Sequence, residues 1–248
     1  MPASAADAPC PEQAFNATAL KWHTCAWLLL PVLIFLAGWM HWYAALPLML
    51  LTAAGLAPRK CKEPQTRDSL PAFPLFTRSS FLALAAFAAL MTLSGWGEWV
   101  NQHPDHIVRN ACLRELVASP WPVIFPDGNM LVYNTGFWLV PALAGKLAGL
   151  DAARVFVVLW GTWGLFLTWL WLCVFSGRRS LLLALLMAAF GSLLNFQCWL
   201  GLDLFRLHYF GTAEQIMCSA NASIPVLLFF IFLASGRMPL PWIPPVSY

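Results

Sequence analysis

Glu98-Trp-Val-Asn-Gln-His-Pro-Asp-His-Ile-Val-Arg-Asn110 opens a polar stretch, Gly97–Leu150, that lies between two apolar runs of membrane length, Ser79–Trp96 and Val155–Phe175. Six of the eleven Asp and Glu residues and three of the five His fall here or in a second polar stretch, Gly201–Ser223. In lipid, polar segments cost free energy unless they reach water or a functional cavity. The stretch therefore divides the fold into spans and a working loop.

Composition says why lipid is the expected solvent. Hydrophobic residues make up 60% of the chain and charged residues 10%, against about 25% charged in ordinary soluble domains. The expected fold class is all-α, a polytopic membrane protein with about six transmembrane helices, integral to the plasma (inner) membrane. The net charge of +3 gives no case for nucleic acid as a partner, since the basic residues gather at span ends. The fourteen Trp suit two wide lipid interfaces, where indole rings prefer to sit. None of the seven Cys forms a CxxC pair, so they read as small buried hydrophobes. A Cys112–Cys218 disulfide is the less favoured reading.

Outward from the loop, residues 1–22 read as a mobile N-terminal tail, and 23–57 as a hairpin of two short helices, His23–Met40 and Tyr43–Ala57. One long kinked helix is the alternative. The basic residues of 58–78 (Arg59, Lys60, Lys62, Arg67, Arg78) mark that loop as cytoplasmic by the positive-inside rule. Ser79–Trp96 then leads outward, and Val155–Phe175 returns to Arg178-Arg179 inside. If Leu131–Leu150 also crossed, that pair would fall outside, so the rule favours an interfacial or re-entrant helix on the outer face. Residues 176–248 supply two further spans, Leu181–Leu200 and Met217–Ser235. The closing Pro-Leu-Pro-Trp-Ile-Pro-Pro reads as the approach to another apolar run, as in a truncated product or fragment.

Within the loop, His106–Ala118 has helical patterning that puts Val108, Ala111, Cys112 and Leu116 on one face. Arg109, Asn110, Arg114 and Glu115 are expected to point elsewhere. Asp105 stands at the start of this helix. It can cap free backbone N–H groups, or act as a general base taking a proton from an acceptor hydroxyl. Glu98, just past its span, is the second carboxylate candidate, or simply a solvated span end. His103 and His106 flank Asp105. The cluster could hold a divalent ion, but surface histidines are the plainer reading, and no cofactor is otherwise implied.

The order of these features resembles a known class. A span and an acidic residue are followed by Leu113-Arg-Glu-Leu116, then Ser119-Pro-Trp-Pro-Val123. An aromatic-rich helix, Tyr133–Gly149, comes next, and the following span opens with Asp151-Ala-Ala-Arg154. This is similar to the first extracytoplasmic loop of GT-C membrane glycosyltransferases, which include protein O-mannosyltransferases and aminoarabinose transferases. The resemblance covers about 79–175, with the outer loop at 97–150. It implies a catalytic Asp, two juxtamembrane helices and a polyprenyl-phosphate sugar donor, with Asp105 in the catalytic place. Many members have a basic residue with Pro-Pro before the second helix, whereas Pro126–Tyr133 contains no Lys or Arg. Cations for the donor phosphate must then come from Arg109, Arg114, Lys146, Arg154, Arg206 or His208. For Lys146 and Arg154, snorkelling toward headgroups is the competing role.

A transporter component or a non-catalytic membrane subunit remain the alternatives. Against the first, the spans are almost free of charge and show no repeated halves. Membrane lipids and the lipid-linked donor are the expected partners; the acceptor is not readable.

Overall fold

The computed structural model describes residues 14–15, 17–56, 73–74, 77–100, 102, 104–176, 180–189 and 221–230. The expected helical class holds. In chain order the helices are α1 (Ala17–Trp39), α2 (Trp42–Leu56), α3 (Arg78–Leu93), α4 (Pro104–Ala118), α5 (Gly136–Ala148), α6 (Leu150–Ser176), α7 (Leu181–Ala189) and α8 (Asn221–Phe230). One two-residue antiparallel strand pair, Ala14–Phe15 with Phe73–Pro74, is the exception. Two helices, Ala19–Trp39 within α1 and Leu150–Ser176, are long and apolar enough to cross a bilayer. The expected six spans are not all present as long helices among the described residues.

The hairpin expected at 23–57 forms as α1 and α2, broken at Met40-His41. Helix α6 is the central element and touches α1, α3, α4, α5 and α7. Its buried residues include Leu165, Leu167, Trp169 and Trp171. Buried indole and hydroxyl groups take hydrogen-bond partners, and such bonds can also link helices. Two such links hold α1 on α6. The Trp27 indole donates to the Trp160 carbonyl at 3.1 Å, and the Trp171 indole donates to the Thr24 hydroxyl at 2.9 Å. Trp27 also stacks on Trp160 with centroids 5.0 Å apart.

Helix α3 starts at the Thr77 N-cap, whose hydroxyl accepts from the Ser80 N–H at 3.2 Å. It ends at Leu93, earlier than Trp96, because the chain turns through Gly95 (φ +94°) and Gly97 (φ +92°). Only glycine takes this left-handed backbone without strain. The turn swings Trp96 and Glu98 back over α6. Between α4 and α6, α5 approaches so closely that a Cβ at Gly145 would stand 2.5 Å from Val117 Cγ2 and 2.8 Å from Ala153 Cβ. Gly145→Ala gains about 1 kcal/mol of helix propensity, but overpacking against a backbone-fixed methyl costs about 1–3 kcal/mol. A net loss of stability is expected, read by thermal unfolding in detergent. A stabilised variant would show that α5 is free to move away.

The segment expected as one helix over Tyr133–Gly149 is helical only from Gly136. Its 13 residues span about 20 Å, short of a hydrocarbon core of about 30 Å.

Candidate functional site

At the end of the bundle where α3 stops and α6 begins, Trp96 is the hub. It is buried among His106 (5.5 Å between centroids), Phe137 (5.7 Å) and Trp138 (5.4 Å), with the Arg109 guanidinium 5.9 Å from its ring. This corrects the expected face of α4. His106, Arg109 and Asn110 are buried together with Cys112, Leu113 and Leu116, whereas Val108 and Ile107 are exposed. The reason is the partner surface. An indole face accepts a cation and a ring edge as readily as an aliphatic group. Asn110 is further satisfied by donating to the Gln102 side chain at 2.8 Å, and Gln102 in turn donates to the Gly95 carbonyl at 2.9 Å. His106 is therefore a packing residue against Trp96, not the surface histidine expected.

The two candidate carboxylates differ sharply. Glu98 has a side chain only 9% exposed and sits at φ +68°, a left-handed conformation that costs a non-glycine residue roughly 1–2 kcal/mol. Its Oε2 accepts from Arg114 Nη2 at 2.6 Å, from Arg154 Nε at 3.1 Å, and from Arg154 Nη2. Arg154 is held from its other side by Asp151, whose Oδ1 accepts from Nη1 at 2.7 Å. This clasp ties the α3 turn to α4 and α6. Glu98 Oε1 is buried and meets no hydrogen-bond partner among the described residues. Asp105, in the first turn of α4, has a side chain 53% exposed, with Arg109 Nη2 at 3.7 Å, one helical turn on.

The cation candidates sort in the same way. Arg109 is buried on Trp96. Arg154 is mostly enclosed between Glu98 and Asp151. Lys146 donates to the Val117 and Ser119 carbonyls at 3.4 and 2.6 Å, and lies 5.0 Å from the Trp121 ring. It thus neutralises the C-terminal end of α4, where the helix dipole favours a cation. Arg114 is joined to Glu98 through one Nη and its side chain is 55% exposed, so its remaining donors are open to an incoming anion. Arg206, His208 and His103 lie outside the described residues, as does Cys218. Cys112 is a free thiol, and burial pushes its pKa up to about 11. That makes it a poor nucleophile at neutral pH. Asp127, at the tip of the 123–131 loop, accepts from the Asn129 N–H at 3.1 Å and its amide at 2.7 Å, which hold its carboxyl below the usual range. No three His, Cys, Asp or Glu side chains come together as a metal-holding group among the described residues.

The sequence singles out Asp105, Glu98 and the arginines as candidates but gives no sign of the clasp, because Glu98 and Arg154 are 56 residues apart. Trp96 was missed as well. A Trp set between two glycines at a span end is the only sequence signal that marked it. No protein-family model, curated protein or solved structure matches this chain.

Proposed function

We propose that the chain is an integral membrane glycosyltransferase of the GT-C type. It moves a sugar from a polyprenyl-phosphate donor to an acceptor hydroxyl at the outer membrane face. The observation that carries this reading is the division of labour between the carboxylates. Glu98 is enclosed and engaged by two arginines, while Asp105 is half-exposed at the start of α4. In the transfer, the acceptor oxygen attacks the anomeric carbon and its proton passes to the Asp105 carboxylate. The bond to the lipid phosphate breaks, and its electron pair leaves with the phosphate. Arg114 offsets that growing charge. Nine positions separate Arg114 from Asp105, about 13 Å along α4 and half a turn around it, so Arg114 meets the donor at a distance from the Asp105 carboxylate.

A six-span topology is part of the proposal, with 97–150 outside. It is supported by exposed apolar faces on several helices, such as Leu50 and Leu51 on α2, Phe81 on α3 and Phe230 on α8. Soluble chains rarely leave so much apolar surface in water. Trp42, Tyr43 and Trp99 are exposed near the ends of α1, α2 and α3, as expected of an interfacial aromatic belt.

Arg114→Gln tests the donor site. Charge-assisted contacts to phosphate contribute about 1.5–3 kcal/mol, so donor affinity should fall about tenfold or more. Glu98 keeps its Arg154 contacts in this variant, and the melting temperature reads the cost of losing the link to α4 separately from donor affinity. Unchanged binding of a polyprenyl-phosphate probe would remove Arg114 from the site.

A further inference from the structure

A cavity of about 700 Å³ lies far from the Glu98 clasp, between the first turns of α3 and the middle of α6. Its walls are Phe81, Leu82 and Leu84 on one side and Trp163 and Phe166 on the other, with Arg78, Thr77 and Ser80 also lining it. The two helices run antiparallel. The Gly97 backbone faces Val158, Gly161 faces Met91, and Trp163 and Phe166 reach the start of α3. The cavity therefore belongs to the α3 end opposite the carboxylates. Helix α3 has 16 residues, about 24 Å, against 27 residues and about 40 Å for α6. The shorter helix begins beside Trp163 and Phe166, where the cavity opens.

We infer that this cavity holds an acyl chain of an anionic phospholipid, with the headgroup at Arg78, in the leaflet opposite the proposed transfer site. The inference rests on the membrane-spanning reading but not on the glycosyltransferase one. The volume lies within the range of about 300–1,000 Å³ usual for ligand sites. Its polar groups are gathered at one end: the Arg78 cation and the Thr77 and Ser80 hydroxyls, which are 2.9 Å apart. The remaining wall is apolar, and Phe81 is 73% exposed. That shape suits an amphiphile with one negative end. A wholly polar ligand would find no partner along the walls, and a zwitterionic lipid, whose own cation competes for its phosphate, would offset Arg78 less than an anionic one. A short span also draws its terminal Arg toward the headgroups.

The test uses the full chain purified in detergent and titrated with phosphatidylglycerol or phosphatidylcholine, with bound lipid counted by native mass spectrometry. Wild type should retain one phosphatidylglycerol in preference to phosphatidylcholine. Arg78→Gln should weaken phosphatidylglycerol binding about five- to tenfold and leave phosphatidylcholine unchanged, and Arg78→Lys should restore most of the loss. Leu84→Trp, which fills the groove, should lower retention of both. Phosphatidylglycerol retention at the wild-type level in both Arg78→Gln and Leu84→Trp overturns the site, as does wild type with no lipid adduct. Carbonate extraction separates the two failures. A chain in the membrane pellet without an adduct loses only the lipid site, whereas a chain in the soluble fraction loses the membrane reading as well.

Discussion

Asp105→Asn should lower sugar transfer by about 10²–10⁴-fold, the usual contribution of a positioned general base, while melting temperature and membrane insertion stay near wild type. Asn keeps the size of Asp and can still accept a hydrogen bond at the start of α4, but it cannot take the proton. The structural role open to Asp105 is modest. A negative charge in the first helical turn contributes about 0.3–1 kcal/mol, and its contact with the buried Arg109 is long, 3.7 Å, with the Trp96 ring also facing that cation. Glu98→Gln provides the contrast. It weakens the acceptor shared by Arg114 and Arg154, and the mostly enclosed Arg154 then loses its counter-charge. That variant should lose stability first and turnover as a consequence. If the two variants behaved alike in both measurements, the division between a working and a bracing carboxylate would fail.

Trp96→Ala should cost about 3–5 kcal/mol, the range for deleting a buried aromatic side chain. Trp96 is 2% exposed and joins α4, α5 and the α3 turn through His106, Trp138 and Arg109. Its removal opens a cavity and takes away the ring against which the Arg109 cation rests. Trp96→Phe should recover much of the loss through ring contacts alone. Denaturant unfolding gives the size of the effect, and limited proteolysis of the 119–135 connection gives its location. A loss under about 1 kcal/mol would mean that α4 and α5 are held mainly by the Glu98 clasp and Lys146.

What was legible in the sequence was whatever depends on unbroken apolar length. Thus α2 and the end of α1 fall within one residue of the expected hairpin, although α1 starts at Ala17, inside the stretch expected as a tail, and α6 encloses the expected Val155–Phe175 run. The α4 boundaries were also readable, because Pro104 suits a first helical turn. The inward face of α4 was not. The periodicity rule assumes that apolar side chains turn inward, and here the inward surface is an indole that takes Arg109 and His106. Lys146 was read as a headgroup or donor contact, yet it meets carbonyls of Val117 and Ser119, 29 and 27 residues earlier. Such pairings are set by how α5 folds back on α4, and no local pattern carries that information. The candidate site was legible as a set of charged residues, but its geometry came from the Gly95–Glu98 turn.

The most direct measurement of the central claim is sugar release from a panel of radiolabelled polyprenyl-phosphate sugars by the full chain in proteoliposomes. Wild type and Asp105→Asn are compared with donor supplied on the outer face. The account predicts chain-dependent loss of label from at least one lipid-phosphate donor, and near-background loss with Asp105→Asn. Release that persists in Asp105→Asn, or no release from any donor by well-folded, membrane-inserted wild type, would contradict it.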